Sequence, residues 1–198
     1  AMIRHSALGT RHLFKSYLEL ARPANVVTAW ADILAGIAFV FGSGLLKDDL
    51  SAFRVFDHFS SLELASIGWL LLATTGLYAG GVVMNDVFDV EIDKVERPER
   101  AIPSGRVTKK GASVFGITLI VLGIIAAWQV SIQSGLLALT IGVLALLYDR
   151  FSKHYSLLGP LNMGLCRAGN LLLGVSILPS ALLGSWALGL VPLLYIGA

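Results

Sequence analysis

The stretch Asn85-Asp86-Val87-Phe88-Asp89-Val90-Glu91-Ile92-Asp93 directly follows an apolar run over residues 62–84. If one helix continues through both, Asp86, Asp89 and Asp93 fall at positions i, i+3 and i+7 and share one face. Carboxylates stacked this closely repel one another, and the usual relief is a hard divalent cation with oxygen ligands. The spacing therefore favours a Mg²⁺ site at the end of a membrane helix.

Basic side chains follow the acidic stripe, at Lys94, Arg97, Arg100 and Arg106. They can balance phosphate oxygens that the carboxylates would otherwise repel. Asn85 lies beside the stripe, whereas Glu91 points elsewhere and is interpreted as a bystander. An acidic stripe with a basic flank is typical of a magnesium–diphosphate site, although a solvated, mixed-charge membrane loop fits the spacing equally well.

The motif and its flank resemble a known family. The pattern Asn85-Asp86-x-x-Asp89-x-x-x-Asp93, then Arg97, then the run from Arg100 to Arg106, is similar to the first aspartate-rich motif of UbiA-type membrane prenyltransferases. Ala101 stands where that family usually has proline. The runs Arg22-Pro23-Ala24-Asn25 and Tyr78-Ala79-Gly80-Gly81 are similar to its EboC-like branch.

This resemblance implies an all-α fold, a polytopic transmembrane helix bundle. It also implies Mg²⁺-dependent transfer of a prenyl group from a prenyl diphosphate to an aromatic or other small acceptor within the membrane. The metal ligands that it implies are Asn85, Asp86, Asp89 and Asp93.

Composition independently indicates an integral membrane protein. Hydrophobic residues make up 56% of the chain, charged residues 14%, and the mean hydropathy is +0.76. A soluble domain of this composition would leave too much apolar surface in water. The net charge of +2 is too weak to argue for nucleic acid as a partner, and the single cysteine, Cys166, excludes an internal disulfide.

Periodicity divides the chain into two parts. Residues 1–22 are expected to form an amphipathic helix at the membrane interface, and residues 23–198 a transmembrane domain. Six apolar segments are expected in that domain, over residues 24–41, 62–84, 111–130, 135–148, 157–178 and from 182 onward. The third and fourth segments are expected to form an antiparallel hairpin. Glycines at 76, 80 and 81 are expected to permit close helix approach.

Several polar residues lie within the apolar segments. Asp32 is a charge at membrane depth, and Arg167 and Asn170 share a face of the fifth segment. Ionisable residues at this depth usually face a cavity or pair with one another, so Asp32 is the expected partner of Arg167. Asp32 is also a candidate for orienting the acceptor or taking its proton. Tyr78 is expected on the motif face, although an interfacial role fits it equally well.

The run Tyr148-Asp149-Arg150-Phe151-Ser152-Lys153 resembles the family's Tyr…Lys segment, in which the lysine contacts diphosphate. Without that resemblance, basic residues at a helix end are more often interface anchors. The expected catalytic residues are Asp32 and Lys153. The expected substrate contacts are Arg22, Asn25, Tyr78, Arg97, Arg100, Tyr148, Lys153, Arg167 and Asn170.

Basic residues also predict the orientation in the membrane. Twelve Lys and Arg residues lie on the side that carries the N-terminus and the aspartate motif, against Lys47 and Arg54 on the other. The positive-inside rule then places the N-terminus and the motif in the cytoplasm.

The chain is expected to be incomplete at its C-terminal end. UbiA-type enzymes carry a second aspartate motif and about nine helices, but no acidic residue follows Asp149. The segment alone is therefore expected to be inactive. The alternative is a non-catalytic UbiA-like protein that binds or helps transport an isoprenoid or small metabolite. A CDP-alcohol phosphotransferase is disfavoured, because its D-G-x-x-A-R pattern is missing from this sequence.

Overall fold

A computed structural model describes residues 2–45, 61–151 and 155–192. Regular structure in these ranges is helical: α1 (Met2–Ala21), α2 (Pro23–Leu45), α3 (Ser61–Phe88), α4 (Val90–Glu96), α5 (Lys109–Trp128), α6 (Ile132–Arg150), α7 (Leu158–Val175), α8 (Pro179–Ser185) and a 3₁₀ turn (Trp186–Gly189). Within the described ranges, four helical stretches are long and apolar enough to cross a bilayer. The protein is a membrane helix bundle, as the hydropathy pattern predicted.

The helix ends follow the capping residues of the sequence. Thr108 and Ser131 precede α5 and α6, and each side chain accepts a hydrogen bond from a backbone N–H of the first turn. The short connection between α5 and α6 confirms the predicted hairpin. The sixth segment was predicted to begin at residue 182. In the structure, helix α8 begins earlier, at Pro179, and a 3₁₀ turn follows it from Trp186.

Glycine seams bring the helices into close contact. A Cβ atom at Gly76 would lie 2.5 Å from the Leu119 carbonyl oxygen, and one at Gly80 would lie 2.7 Å from that of Gly116. These two glycines confirm the predicted close approach, here between α3 and α5. The prediction is wrong for Gly81, which lines the cavity and where an added Cβ atom would lie 3.6 Å from the Ala145 methyl group, an ordinary contact distance.

A second seam joins α2 to α7. A Cβ atom at Gly174 would overlap the carbonyl oxygen of Ile33, and one at Gly36 would overlap that of Leu171. The two helices therefore touch backbone to backbone, as small residues allow between membrane helices. This contact fixes the separation of the two helices that carry Asp32 and Arg167.

Helix α1 packs on the bundle through part of its surface only. Leu20 is buried, and the Tyr17 ring meets that of Phe115 edge to face with centroids 5.1 Å apart. Leu13, Phe14 and Leu18 are exposed on the same helix. The predicted helix is thus confirmed, whereas its place at the membrane interface stays a prediction.

We expect Glu19→Gln to change the stability of the protein little. Glu19 pairs with Arg106 at 2.6 Å, but the two side chains are 50% and 41% exposed. Exposed ion pairs contribute about 0–1 kcal/mol, so the unfolding temperature in detergent should shift by a few degrees at most. Leu20→Ala is the contrasting variant, because losing a buried leucine side chain costs about 2–5 kcal/mol. A larger loss from Glu19→Gln than from Leu20→Ala would contradict this account of how α1 is held.

Candidate active site

A cavity of about 490 Å³ lies between α2, α3, α6 and α7. On α3 its lining runs from Asn85 to Thr74, which spans roughly 16 Å along a helix. Its volume is typical of a site for a small organic ligand. Seven of the predicted site residues line it: Arg22, Asp32, Tyr78, Asn85, Tyr148, Arg167 and Asn170.

The aspartate motif adjoins one end of this cavity. Asn85 lines the cavity, and Asp86 binds Arg22, which lines it too, whereas Asp86, Asp89 and Asp93 are not lining residues. Helix α3 continues past residue 84 to Phe88, so Asn85 and Asp86 are still helical. The chain bends at Asp89, and α4 carries Asp93. Backbone hydrogen bonds from Asp89 to Asn85 and from Asp93 to Asp89 keep the helical i to i−4 spacing across the bend. Asp86 and Asp93 are both buried as a result.

Two arginines neutralise these buried carboxylates. An Nη2–H of Arg22 donates to Asp86 Oδ1 at 2.7 Å. Arg100 Nη1 donates to the same oxygen at 3.2 Å and to Asp93 Oδ2 at 2.6 Å. Burial by itself would lower the pKa of Arg100, but the hydrogen bond to Asp93 and the charges of Asp86, Asp93 and Asp89 raise it overall.

The segment after α4 positions Arg100. Ala101, Ile102 and Val107 are buried against Val83 and Val87 of α3. A backbone hydrogen bond from Val107 to Ala101 closes the turn. These apolar residues hold the loop after α4 against α3. The loop thereby places the Arg100 side chain next to the carboxylates of Asp86 and Asp93.

The other basic residues of the flank lie away from the motif carboxylates. Lys94 binds Glu91 on the exposed side of α4, so Glu91 points away from Asp86 and Asp93 as predicted, and its bystander role stays a prediction. Arg106 binds Glu19 of α1. Arg97 follows the end of α4 and is exposed. Proximity therefore favours Arg22 and Arg100 over these three as partners for a diphosphate.

The far part of the cavity contains a second polar cluster. Arg167 binds Asp32 in a two-pronged ion pair, with Nη2–Oδ1 at 2.8 Å and Nε–Oδ2 at 3.2 Å. This confirms the pairing predicted from the sequence. The Asn170 side chain donates to the Ala29 carbonyl at 2.8 Å and accepts from the Thr74 hydroxyl at 2.7 Å. Asn170 therefore links α2, α3 and α7 in addition to lining the cavity.

Comparisons with known proteins show the family to which the chain belongs. The model of the UbiA prenyltransferase family matches residues 54–198. The chain belongs to the UbiA prenyltransferase family. It is 34% identical over 163 residues to digeranylgeranylglyceryl phosphate synthase of Methanosarcina mazei, which covers 82% of this chain and 55% of the relative. The enzyme of the same name from Sulfolobus acidocaldarius is 34% identical over 187 residues, covering 92% and 58%.

A solved structure of a digeranylgeranylglyceryl phosphate synthase has the same fold. It superposes with a TM-score of 0.77 at 24% identity, over 93% of this chain and 60% of the other. The present chain thus spans little more than half the length of the curated relatives it matches.

UbiA-family prenyltransferases are generally Mg²⁺-dependent, so the motif residues can be tested for their fit to that ion. In the described ranges, no three acidic, histidine or cysteine side chains gather closely enough to hold a metal. Asp86 and Asp93 nevertheless converge on one cationic nitrogen, Arg100 Nη1. Mg²⁺ commonly takes one or two carboxylates plus water and substrate phosphates, so this oxygen-only set fits a metal shared with a diphosphate.

Seven predicted site residues are not among the described residues that line the cavity. Asp86, Asp93 and Arg100 form the ion-paired cluster beside it, and Asp89 lies at the bend between α3 and α4. The other three are Asn25, Arg97 and Lys153. Asn25 is exposed in the first turn of α2 and does not line the cavity, because it lies at the open start of that helix. Arg97 does not line it either. Lys153 lies outside the described residues, so its diphosphate role stays a prediction from the family resemblance.

Thr74 and Asp149 are among the cavity residues that were not predicted from the sequence. Thr74 is a lone hydroxyl in an apolar run, and no local pattern distinguishes it. Asp149 is buried and lines the cavity beside Tyr148. Its signal was present, because a carboxylate at the end of a membrane helix is unusual and indicates a functional position.

Proposed function

We propose that the full-length protein is a Mg²⁺-dependent prenyltransferase that moves a prenyl group from a prenyl diphosphate to a small acceptor inside the membrane. The observation that carries the proposal is a largely apolar cavity lined by Asn85 of the motif and by Arg22, which binds Asp86 of the same motif. We also propose that the motif lies on the cytoplasmic side of the membrane, because most Lys and Arg residues fall on that side of the predicted topology.

The residues at the motif end would bind the diphosphate. Asn85, Asp86, Asp89 and Asp93 are the proposed metal ligands, and a bound Mg²⁺ would stabilise the negative charge of the departing diphosphate. Arg22 and Arg100 supply fixed positive charge next to Asp86. Such preorganised charge lowers the barrier to breaking the carbon–oxygen bond of the donor.

The walls of the cavity would shelter the prenyl chain. Leu77, Val82, Ile141, Ala145 and Met163 line it between the two polar clusters. Excluding water matters here, because an allylic cation formed on ionisation would otherwise be captured as the alcohol. Tyr78 and Tyr148 lie on the lining, where their rings can face the chain.

The Asp32–Arg167 pair would orient the acceptor. A carboxylate held by two hydrogen bonds from one guanidinium is fixed in position, which suits it to accept a hydrogen bond from an acceptor hydroxyl. The relatives are named for digeranylgeranylglyceryl phosphate. A prenylated glyceryl phosphate should therefore be tested as the acceptor before aromatic compounds are tested.

The proposal is tested by incubating the full-length protein in lipid nanodiscs with radiolabelled prenyl diphosphates and a panel of lipid and aromatic acceptors. Mg²⁺-dependent formation of a prenylated product is expected, and chelation should abolish it. Saturable binding of a prenyl diphosphate without turnover on any acceptor would favour the non-catalytic alternative.

We expect Asp32→Asn to impair use of the acceptor selectively. Replacing the carboxylate weakens its pair with Arg167 and removes a negative hydrogen-bond acceptor, so kcat/KM for the acceptor should fall about a hundredfold. The KM for the prenyl diphosphate should stay within about twofold, because Asp32 contacts Arg167 and not Arg22 or Arg100. Initial rates with each substrate varied in turn measure this; a change confined to the diphosphate KM would contradict it.

A further inference from the structure

The junction between α1 and α2 holds an unusual arginine. Among the residues that the structure describes, Arg22 is the one non-glycine residue with a positive φ, 45°. It follows the last residue of α1 and precedes Pro23, at a place where helices commonly end in glycine because only glycine adopts this conformation without steric cost. An arginine in this strained position suggests that its side chain is needed there.

The side chain of Arg22 reaches from this junction to the motif. Its guanidinium is 2.7 Å from Asp86 Oδ1, an oxygen that also accepts from Arg100. The Asp86 side chain is 7% exposed, whereas the Arg22 side chain is 35% exposed and Arg22 lines the cavity. Asp86 is therefore already neutralised by two side chains, one of which also faces the space for a substrate.

We infer that Arg22 and Arg100 are built-in counter-ions that make metal binding at Asp86 depend on diphosphate, an inference that rests on the proposed function. A metal ion that takes Asp86 Oδ1 alone has to displace two guanidinium groups from it, which leaves Arg22 without this anionic partner and Arg100 with Asp93 only. A metal ion that arrives with a diphosphate brings oxygens to which both guanidiniums can transfer. The two arginines thus favour joint loading and disfavour loading by the metal alone.

A purely structural role for the two arginines predicts that their effect on metal affinity does not depend on diphosphate. If they only neutralise Asp86, they should stay on it when diphosphate binds. Removing Arg22 would then leave a less well compensated cluster, and metal affinity would rise equally with and without diphosphate.

The test measures Mn²⁺ binding by electron paramagnetic resonance, with the full-length protein in nanodiscs and with or without inorganic pyrophosphate. Wild-type protein is expected to bind Mn²⁺ at least about tenfold more tightly when pyrophosphate is present. Arg22→Gln should raise the affinity for Mn²⁺ alone at least about fivefold and reduce the gain from pyrophosphate.

Three further variants make the result specific. Arg106→Gln removes the same charge from a guanidinium that binds Glu19, so it controls for a general electrostatic effect and should change Mn²⁺ affinity less than about twofold. Arg22→Gly removes both the guanidinium and the strained φ; it should reproduce Arg22→Gln without loss of thermal stability. Arg22→Lys should restore part of the dependence on pyrophosphate.

The inference is overturned if wild-type affinity is the same with and without pyrophosphate, or if Arg22→Gln changes both affinities equally. It is also overturned if Arg106→Gln matches Arg22→Gln. Asp86→Asn separates the two proposals: if it leaves Mn²⁺ binding unchanged, the metal site of the proposed function fails as well.

Discussion

Replacing Asp86 with asparagine is expected to reduce prenyl transfer by about a hundred- to a thousandfold. Asp86 is buried and binds the guanidinium groups of Arg22, which lines the cavity, and of Arg100. Asparagine keeps the shape and one oxygen acceptor but loses the charge on which both the metal and the arginines depend. The same reasoning predicts loss of activity for Asp89→Ala.

Single-turnover rates at saturating Mg²⁺ and prenyl diphosphate measure this effect. Glu91→Gln is the matched control, since Glu91 is an exposed carboxylate of α4 that binds Lys94. Its rate should stay within about twofold of wild type, because an exposed pair far from the reacting atoms contributes little. Unchanged turnover in Asp86→Asn would remove the motif from the mechanism.

Gly174→Ala is expected to lower both the stability of the protein and its use of the acceptor. The added Cβ would overlap the Ile33 carbonyl, a backbone group that cannot rotate away, so α2 and α7 have to separate. Overpacking of this kind costs about 1–3 kcal/mol and occasionally more. The separation also displaces Asp32, the neighbour of Ile33, from Arg167, so we expect acceptor use to fall together with stability.

Thermal unfolding in detergent and kcat/KM for the acceptor measure the two effects. Gly68→Ala is the control, because Gly68 lies within α3 and a Cβ there meets no atom within 4 Å. Alanine should stabilise that helix by up to about 1 kcal/mol. Equal stability of the two alanine variants would show that the α2–α7 contact is looser than the structure indicates.

Hydropathy predicted the first four membrane segments, because the bilayer sets the length and composition of such helices. Within the described residues, the fifth and sixth predicted segments are not among the stretches long and apolar enough to span. Hydropathy placed the end of the second segment at residue 84, whereas α3 runs to Phe88. Polar residues Asn85 and Asp86 ended the apolar run without ending the helix, since backbone hydrogen bonding does not depend on side-chain polarity. A hydropathy pattern does not predict that Asp86 is buried and paired with two arginines.

The long-range contacts of the site were only partly predictable. Asp32 and Arg167 were paired correctly, because two opposite charges at membrane depth leave few alternatives. Arg100 was predicted to contact substrate, but its position on Asp86 and Asp93 depends on how Ala101, Ile102 and Val107 pack on α3. Arg22 depends on a backbone conformation that sequence propensities disfavour for arginine.

The central claim is that the motif end of the cavity binds a metal and a prenyl diphosphate together. The most direct test is an anomalous difference map of the full-length protein crystallised with Mn²⁺ and an unreactive prenyl thiodiphosphate. We predict a manganese peak about 2.0–2.3 Å from an Asp86 oxygen, with the diphosphate beside Arg22 and Arg100 and the prenyl chain along the α3 wall. A manganese peak remote from Asp86, or a prenyl chain outside the cavity, would contradict the account.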